Sequence, residues 1–200
     1  MAKFSKKFER LVDFIQFTHE FQKIVRIARR PYGKRLENDA EHSYQLAMVA
    51  WFLIDQEKLK LNKERCLMYA LAHDVVEVYA GDTPIFKKEK TSIKHEREKK
   101  ALLKIKKRFP YFTHLTDTIE QYERKRDKES IFIYALDKIL PPIQIYLEKG
   151  KLWHEYGMSY EDLIENKNRK IVLSKNIDTY WQELLKELKK NKKKLFSHKK

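Results

Sequence analysis

Four side chains that can bind a metal ion interrupt otherwise apolar helical segments of this sequence. His42 lies on the apolar stripe of one segment. His73 and Asp74 interrupt YALAHDVVEVYA, and Asp137 interrupts IFIYALDKILPPI. A buried carboxylate without a partner is unfavourable and tends to become protonated. Two histidines and two aspartates from three helices can instead satisfy one another around a divalent cation, whose charge offsets the burial of the carboxylates.

Such a ligand set is typical of a catalytic ion, because four nitrogen and oxygen ligands leave one or two positions for water or substrate. His73 and Asp74 are adjacent and point about 100° apart on a helix. They can share one ion only if other helices complete the site. Each residue also has an ordinary interpretation: either histidine can be hydrogen-bonded in the core, and Asp137 can lie on a helix surface.

Apolar residues recur at helical spacing along nearly the whole chain, which predicts an all-α fold without a strand of useful length. Asn38 and Glu41 have the spacing of a capping box at the start of the second helix, and Ser159 with Asp162 opens a later one. The other predicted helices cover about residues 5–29, 62–81, 92–108, 113–123, 127–149 and 174–194.

The composition predicts one folded domain. The 200 residues are 42% hydrophobic and 36% charged, with four glycines and five prolines, which excludes collagen-like and low-complexity classes. We expect a single domain over residues 1–185, with its chemical motifs in 20–140, and a basic tail over 186–200. The longest apolar run, 46–54, is too short to span a bilayer, and we expect neither a signal peptide nor a membrane association. The single cysteine favours a reducing, cytoplasmic location.

The net charge of +15 is concentrated in two segments. Residues 87–108 carry a net charge of +8 and residues 186–200 a net charge of +7. We interpret these segments as a solvated helix face and a frayed basic tail; a polyanion-binding surface is the alternative. No nucleic-acid-binding motif accompanies the charge, so nucleic acid is a possible but not a favoured partner.

Two longer strings around the candidate ligands resemble a known family. KRLENDAEHSYQLA (34–47) and LAHDVVEVYAGDTP (71–84) are similar to segments of HD-domain metal-dependent phosphohydrolases, in particular the bacterial 5'-deoxynucleotidase branch. His42, His73-Asp74 and Asp137 match the H…HD…D signature of that superfamily in order and spacing. The resemblance implies a compact HD-domain helical bundle, often dimeric, that removes phosphate from deoxyribonucleoside 5'-monophosphates.

The resemblance also implies roles for individual residues. Glu77 matches the catalytic acid or base, and we place Asp74 beside it as both a ligand and a catalytic residue. Arg26 matches the arginine that orients the phosphate, although Arg29 or Arg30 could be the equivalent. The next residue is Ile27, where the family often has a tryptophan, so the base and sugar preference is open. The predicted substrate contacts in and after the HD loop are Asp82, Thr83 and Lys87.

We therefore expect a phosphohydrolase acting on (deoxy)nucleoside 5'-monophosphates with one divalent ion, which could be Co, Mn, Fe, Ni, Zn or Mg. The expected partners are a nucleotide substrate and a second copy of the chain. Two alternatives remain: a phosphodiesterase or nucleoside triphosphate hydrolase with the same site, and a nucleotide- or RNA-binding protein with a vestigial site. A second ion held by His95 and His114 is not favoured, because both lie outside apolar helical segments.

Overall fold

The computed structural model describes residues 4–29, 35–83 and 90–197. The elements in chain order are α1 (Lys6–Phe21), β1 (Val25–Arg29), β2 (Leu36–Asn38), α2 (Asp39–Gln56), α3 (Lys63–Ala72), α4 (Glu77–Ala80), α5 (Thr91–Arg108), α6 (Thr113–Arg124), α7 (Lys128–Leu147), α8 (Lys151–Glu155), α9 (Tyr160–Ile171), α10 (Lys175–Lys190) and α11 (Lys192–Leu195). The predicted all-α class is confirmed, because helices make up most of the chain. None of the helices in these ranges is long and apolar enough to cross a membrane.

Side-chain caps begin α2 and α9 where the sequence predicts them. Asn38 accepts from the backbone N–H of Glu41, and the Glu41 side chain accepts from the N–H of Asn38. Ser159 and Asp162 form the same reciprocal pair at the start of α9. The α2 cap fixes the orientation of the helix that carries His42.

The predicted first helix is too long. It ends at Phe21, and Val25–Arg29 instead pairs antiparallel with Leu36–Asn38 in a two-stranded sheet, with Val25 opposite Asn38. The β-branched residues of IVRI favour an extended backbone over a helix. As a result Arg26 lies on a strand beside α7 rather than on α1.

The predicted helix over 62–81 is interrupted at the HD pair. After Ala72 the backbone tightens, so that Val75 N–H donates to Ala72 O and Glu77 N–H donates to Asp74 O at 2.8 Å. These are bonds between residues three apart, as in a 3₁₀ turn. The tight turn separates α3 from α4 and places Asp74 and Glu77 on one side of it.

Helix α7 continues through Pro141 and Pro142, so these residues do not end it. Neither proline has an N–H to donate to the carbonyl one turn earlier. Those carbonyls belong to Asp137 and Lys138, so the helix lacks two backbone bonds beside the candidate site.

Two hydrophobic clusters hold these elements. The larger one joins α2, α3, α7, α9 and α10 around side chains such as Leu46, Ile133 and Trp181. The smaller one lies between α1, α5 and α6 around Phe17 and Ile105. Helix α2 packs against α3 and α7, which brings the three elements with candidate ligands together.

The expectation of a frayed tail over 186–200 is wrong for its described part. Leu188, Leu195 and Phe196 are buried, and the Phe196 ring stacks on Trp153 with centroids 4.4 Å apart. The lysines of this segment point outward and the few apolar side chains point inward, so a strongly basic composition still leaves a packed stripe. Residues 186–197 therefore belong to the folded unit.

Candidate metal centre

The candidate ligands converge from three elements. His42 comes from α2, His73 and Asp74 from the turn after α3, and Asp137 from α7. His42 Nε2 lies 3.0 Å from Asp137 Oδ1, and His73 Nε2 lies 3.9 Å from the same oxygen. Asp74 Oδ2 is 2.9 Å from His73 Nε2. His42, His73 and Asp137 are buried and lie close enough together to share one ion, and Asp74 adjoins them at His73.

The ring of His73 is oriented by the backbone. Its Nδ1–H donates to Ala70 O at 2.9 Å, which leaves Nε2 directed toward the carboxylates. This Nε2 is buried, and the carboxylate oxygen nearest to it is Asp74 Oδ2. Burial opposes protonation of His73, but Asp74 and Asp137 outweigh it and raise its pKa. A metal ion at this place would substitute for that proton, so the donors fit a divalent cation.

His42 and Asp137 have the protonation states that metal ligands need. Burial and the nearby Arg26 lower the pKa of His42 to about 4, so its ring is neutral at neutral pH. Burial alone would raise the pKa of Asp137, but Lys138 and His42 hold it well below its usual range. Neutral imidazole and ionised carboxylate are the forms that bind metals.

A second carboxylate cluster adjoins the first and is joined to it by Arg26. Asp39, Asp74 and Glu77 each place an oxygen within 4.8 Å of the others. Arg26 Nη1 donates to Asp74 Oδ2 at 2.7 Å and to Asp39 Oδ1 at 3.1 Å. Arg29 instead pairs with Glu155 at 2.8 Å, and Arg30 lies outside the described residues. Arg26 is therefore the described arginine at the cluster.

Glu77 is 4% exposed and faces the acidic side of the site. Burial raises its pKa to about 11, and Asp74, Asp39 and Asp82 add to the shift. A carboxyl group in this environment holds a proton at neutral pH. The structure thus places a proton-carrying group beside the candidate ligand Asp74.

Asp39 and Glu37 belong to the site but were not identified from the sequence. Asp39 is fully buried, with a pKa raised to about 6 by burial and by Asp74. Glu37 Oε2 lies 3.7 Å from Nδ1 of His42, and Glu37 Oε1 accepts from Gln144 at 3.0 Å. The signal for Asp39 was present, because it precedes His42 by three residues and so shares its helix face.

A cavity of about 190 Å³ opens onto both clusters. Asp82 and Thr83, which the sequence analysis predicts as substrate contacts, line this cavity, and Thr83 accepts a hydrogen bond from Arg97. Lys87 lies outside the described residues. Lysines from three helices also line the cavity and were not predicted as contacts: Lys94, Lys138, Lys167 and Lys170. His95 and His114 belong to neither metal-type cluster.

The fold and this donor set define a class of protein: helical, with a buried His/Asp centre built around a turn that carries an adjacent His-Asp pair. The chain belongs to the HD domain family, whose sequence profile matches residues 19–181. The resemblance read from the two longer strings is therefore confirmed.

Individual relatives agree with this assignment. The chain is 32% identical over 107 residues to 5'-deoxynucleotidase HDDC2 of Homo sapiens, which covers 52% of this chain and 51% of that protein. It is 46% identical over 54 residues to 5'-deoxynucleotidase YfbR of Salmonella newport strain SL254, covering 25% and 27%. The chain thus spans about half the length of the human relative and about a quarter of the length of the Salmonella one.

A solved structure extends the likeness over the whole chain. The crystal structure of a "Predicted metal-dependent phosphohydrolase" from Magnetospirillum magnetotacticum MS-1 superimposes with a TM-score of 0.82 and 25% identity. It covers 98% of this chain and 100% of that one. The helices after residue 140 therefore have counterparts in that protein.

Proposed function

We propose that this protein is a metal-dependent phosphohydrolase that removes phosphate from (deoxy)nucleoside 5'-monophosphates. The observation that carries the proposal is the convergence of His42, His73 and Asp137 beside an arginine-bound Asp74, in a cavity lined by lysines. The 5'-deoxynucleotidase relatives support the choice of substrate.

In this proposal His42, His73, Asp74 and Asp137 hold one divalent ion. Its identity within Co, Mn, Fe, Ni, Zn and Mg is open, and the two imidazoles favour the later transition metals. The ion, when bound, supplies Lewis-acid polarisation of the phosphate and a water of lowered pKa.

The protein's own residues perform the remaining tasks. Glu77 is the proton-transfer group for the attacking water or the leaving 5'-oxygen. Arg26, held in place by Asp39 and Asp74, directs its other guanidinium N–H groups to the phosphate oxygens. Asp82 and Thr83, with Lys87, contact the sugar and phosphate. The burial of the cluster excludes bulk water and strengthens each of these interactions.

A phosphate-release screen of nucleotides across divalent metals tests the proposal, with Asp74→Ala protein as the blank. We expect 5'-mononucleotides to be hydrolysed faster than 3'-mononucleotides, triphosphates or cyclic diesters. A preference for triphosphates or diesters would replace the proposal with the corresponding alternative hydrolase. Tight nucleotide or RNA binding without turnover under any metal would indicate a vestigial site.

We also propose that two copies of the chain pair through the outer face of α2. Tyr44, Met48, Trp51 and Phe52 lie one or two turns apart on this helix, and Tyr44 and Phe52 are 66% and 61% exposed. A contiguous exposed apolar face of this kind is typical of an interface. Light scattering should give a dimer mass, and Phe52→Glu should give a monomer.

The cytoplasmic location stays a prediction.

A further inference from the structure

Helix α9 contributes a buried lysine to the cavity at a position where its apolar stripe would continue. Leu163, Lys167 and Ile171 follow one another at four-residue spacing, and the two flanking residues are core side chains. Lys167 is 9% exposed and lines the cavity with Asp74 and Asp137. Lys170 lines the same cavity and is exposed.

The other cations of the cavity are already paired with acids. Arg26 binds Asp74, Lys138 binds Asp137, and Lys94 Nζ lies 3.4 Å from Glu98. Within residues 4–29, 35–83 and 90–197, by contrast, no carboxylate oxygen lies within 4.0 Å of the Lys167 or Lys170 ammonium. The two α9 lysines are the cavity cations without an acidic partner in this part of the chain.

The largest charge effect on each of these two lysines comes from another cation, Lys138, while Asp137 acts in the opposite direction. Burial and the Lys138 charge lower the pKa of Lys167 to about 7, and burial and Lys138 also lower the pKa of Lys170. A buried, unpaired ammonium group among like charges destabilises the fold unless an anion joins it. The arrangement therefore opposes folding and favours the entry of an anion.

We propose that Lys167 and Lys170 form a phosphate-binding wall of the cavity, which holds the phosphate group of the substrate from the side of α9. Identifying this phosphate as part of a nucleotide rests on the proposed function. The anion-binding property itself rests only on the charges and burial described above. Neither lysine belongs to the strings that carry the family resemblance, because both lie beyond residue 140.

Calorimetric titration of the metal-loaded protein with inorganic phosphate tests this wall without turnover. A charge-assisted hydrogen bond contributes about 1.5–3 kcal/mol, so Lys167→Met should weaken phosphate binding about tenfold or more. Lys170→Met should weaken it in the same direction. Arg169→Met is the matched control, since it removes one positive charge from the same helix at an exposed residue outside the cavity, and it should leave the affinity unchanged.

Stability without phosphate provides a second readout. Lys167→Met replaces an unpaired buried charge with an apolar side chain of similar length, so urea unfolding should show equal or higher stability than the parent. A lysine that served only the fold would give the opposite result. If Lys167→Met nevertheless fails to fold, phosphate binding by Lys170→Met decides.

Unchanged phosphate affinity in Lys167→Met or, if that variant does not fold, in Lys170→Met would overturn the proposal. An equal loss of phosphate affinity in the Arg169→Met control would also overturn it, because the loss would then reflect the overall positive charge of the helix and not a specific contact. If the wall binds phosphate but no nucleotide is hydrolysed, the proposed function fails and the wall stands. If 5'-mononucleotides are hydrolysed while the phosphate affinity does not change in Lys167→Met, the phosphate-binding wall is wrong and the proposed function is not affected.

Discussion

Asp74 is the residue at which the two carboxylate-containing clusters meet. Its Oδ2 lies 2.9 Å from His73 Nε2 and 2.7 Å from Arg26 Nη1. One oxygen therefore faces both a metal-type nitrogen donor and the guanidinium proposed to orient the phosphate. A substitution at this residue should therefore change both the binding of the ion and the position of Arg26.

We expect Asp74→Ala to abolish metal binding, because it removes a ligand and leaves Arg26 free to approach the centre. Elemental analysis after reconstitution should give about one ion per chain for the parent protein, on the ligand count, and none for the variant. Asp82→Ala, which changes a cavity residue outside the cluster, should keep the ion. Full metal content in Asp74→Ala would refute the ligand assignment.

Glu77→Gln should keep the ion and lose most of the turnover. The substitution preserves size and burial but removes the transferable proton, whose loss typically lowers the rate about 10²–10⁴-fold. Phosphate release by the metal-loaded variant measures the effect. A rate equal to that of the parent would reduce Glu77 to a buried structural acid.

At the residue scale, the candidate ligands were recognisable because charge in an apolar stripe needs a partner. His42, His73-Asp74 and Asp137 all carry that signal. Lys167 carries the same signal, between Leu163 and Ile171, but a lysine is no metal ligand, so the pattern alone does not indicate which partner it needs. The contacts of Glu37 with His42 and Gln144 depend on the approach of α7 to β2, which no local pattern encodes.

Among the elements, α8 and α11 are held together at Gly150. This residue has φ +75°, and a Cβ there would lie 2.2 Å from the backbone O of Leu195. Gly157 also has a positive φ, of +61°, but nothing lies within 4 Å of its Cβ position. A side chain at Gly157 would therefore cause backbone strain alone, whereas one at Gly150 would cause backbone strain and a clash with Leu195.

Gly157→Ala should lower the free energy of unfolding by about 1–2 kcal/mol, the usual penalty for a left-handed residue with a side chain. Gly150→Ala should lower it further, because α11 must also move away from α8. Urea unfolding of the two variants, side by side, measures the difference. Equal losses of unfolding free energy would mean that α11 moves away from α8 at no cost in stability.

Element types were predictable where a side chain fixed the boundary, as the caps at Asn38 and Ser159 do. The break after Ala72 was not, because the residues after it, VVEVYA, keep a helical pattern and the turn results from packing the HD pair against α2 and α7. The β1–β2 pair depends on contacts between two short segments, neither of which alternates strongly enough to be recognised.

For the whole molecule, the last helices complete the core rather than trail from it. Phe196 is 2% exposed and stacks on Trp153. We expect Phe196→Ala to lower the free energy of unfolding by about 3–5 kcal/mol, the usual range for a buried aromatic ring. Lys193→Ala, in the same segment but exposed, should have little effect. Thermal and urea unfolding would distinguish the two variants. Equal changes in the free energy of unfolding would indicate that this segment is a frayed tail after all.

The contact between His42 and Asp137 joins residues 95 positions apart, on helices that meet only when α2, α3 and α7 have packed. The unfolded chain therefore offers no complete set of donors. An ion that binds this packed arrangement and not the unfolded chain would stabilise the native state by mass action. The supply of metal would then set how long each folded molecule survives against proteolysis, quite apart from any reaction it catalyses.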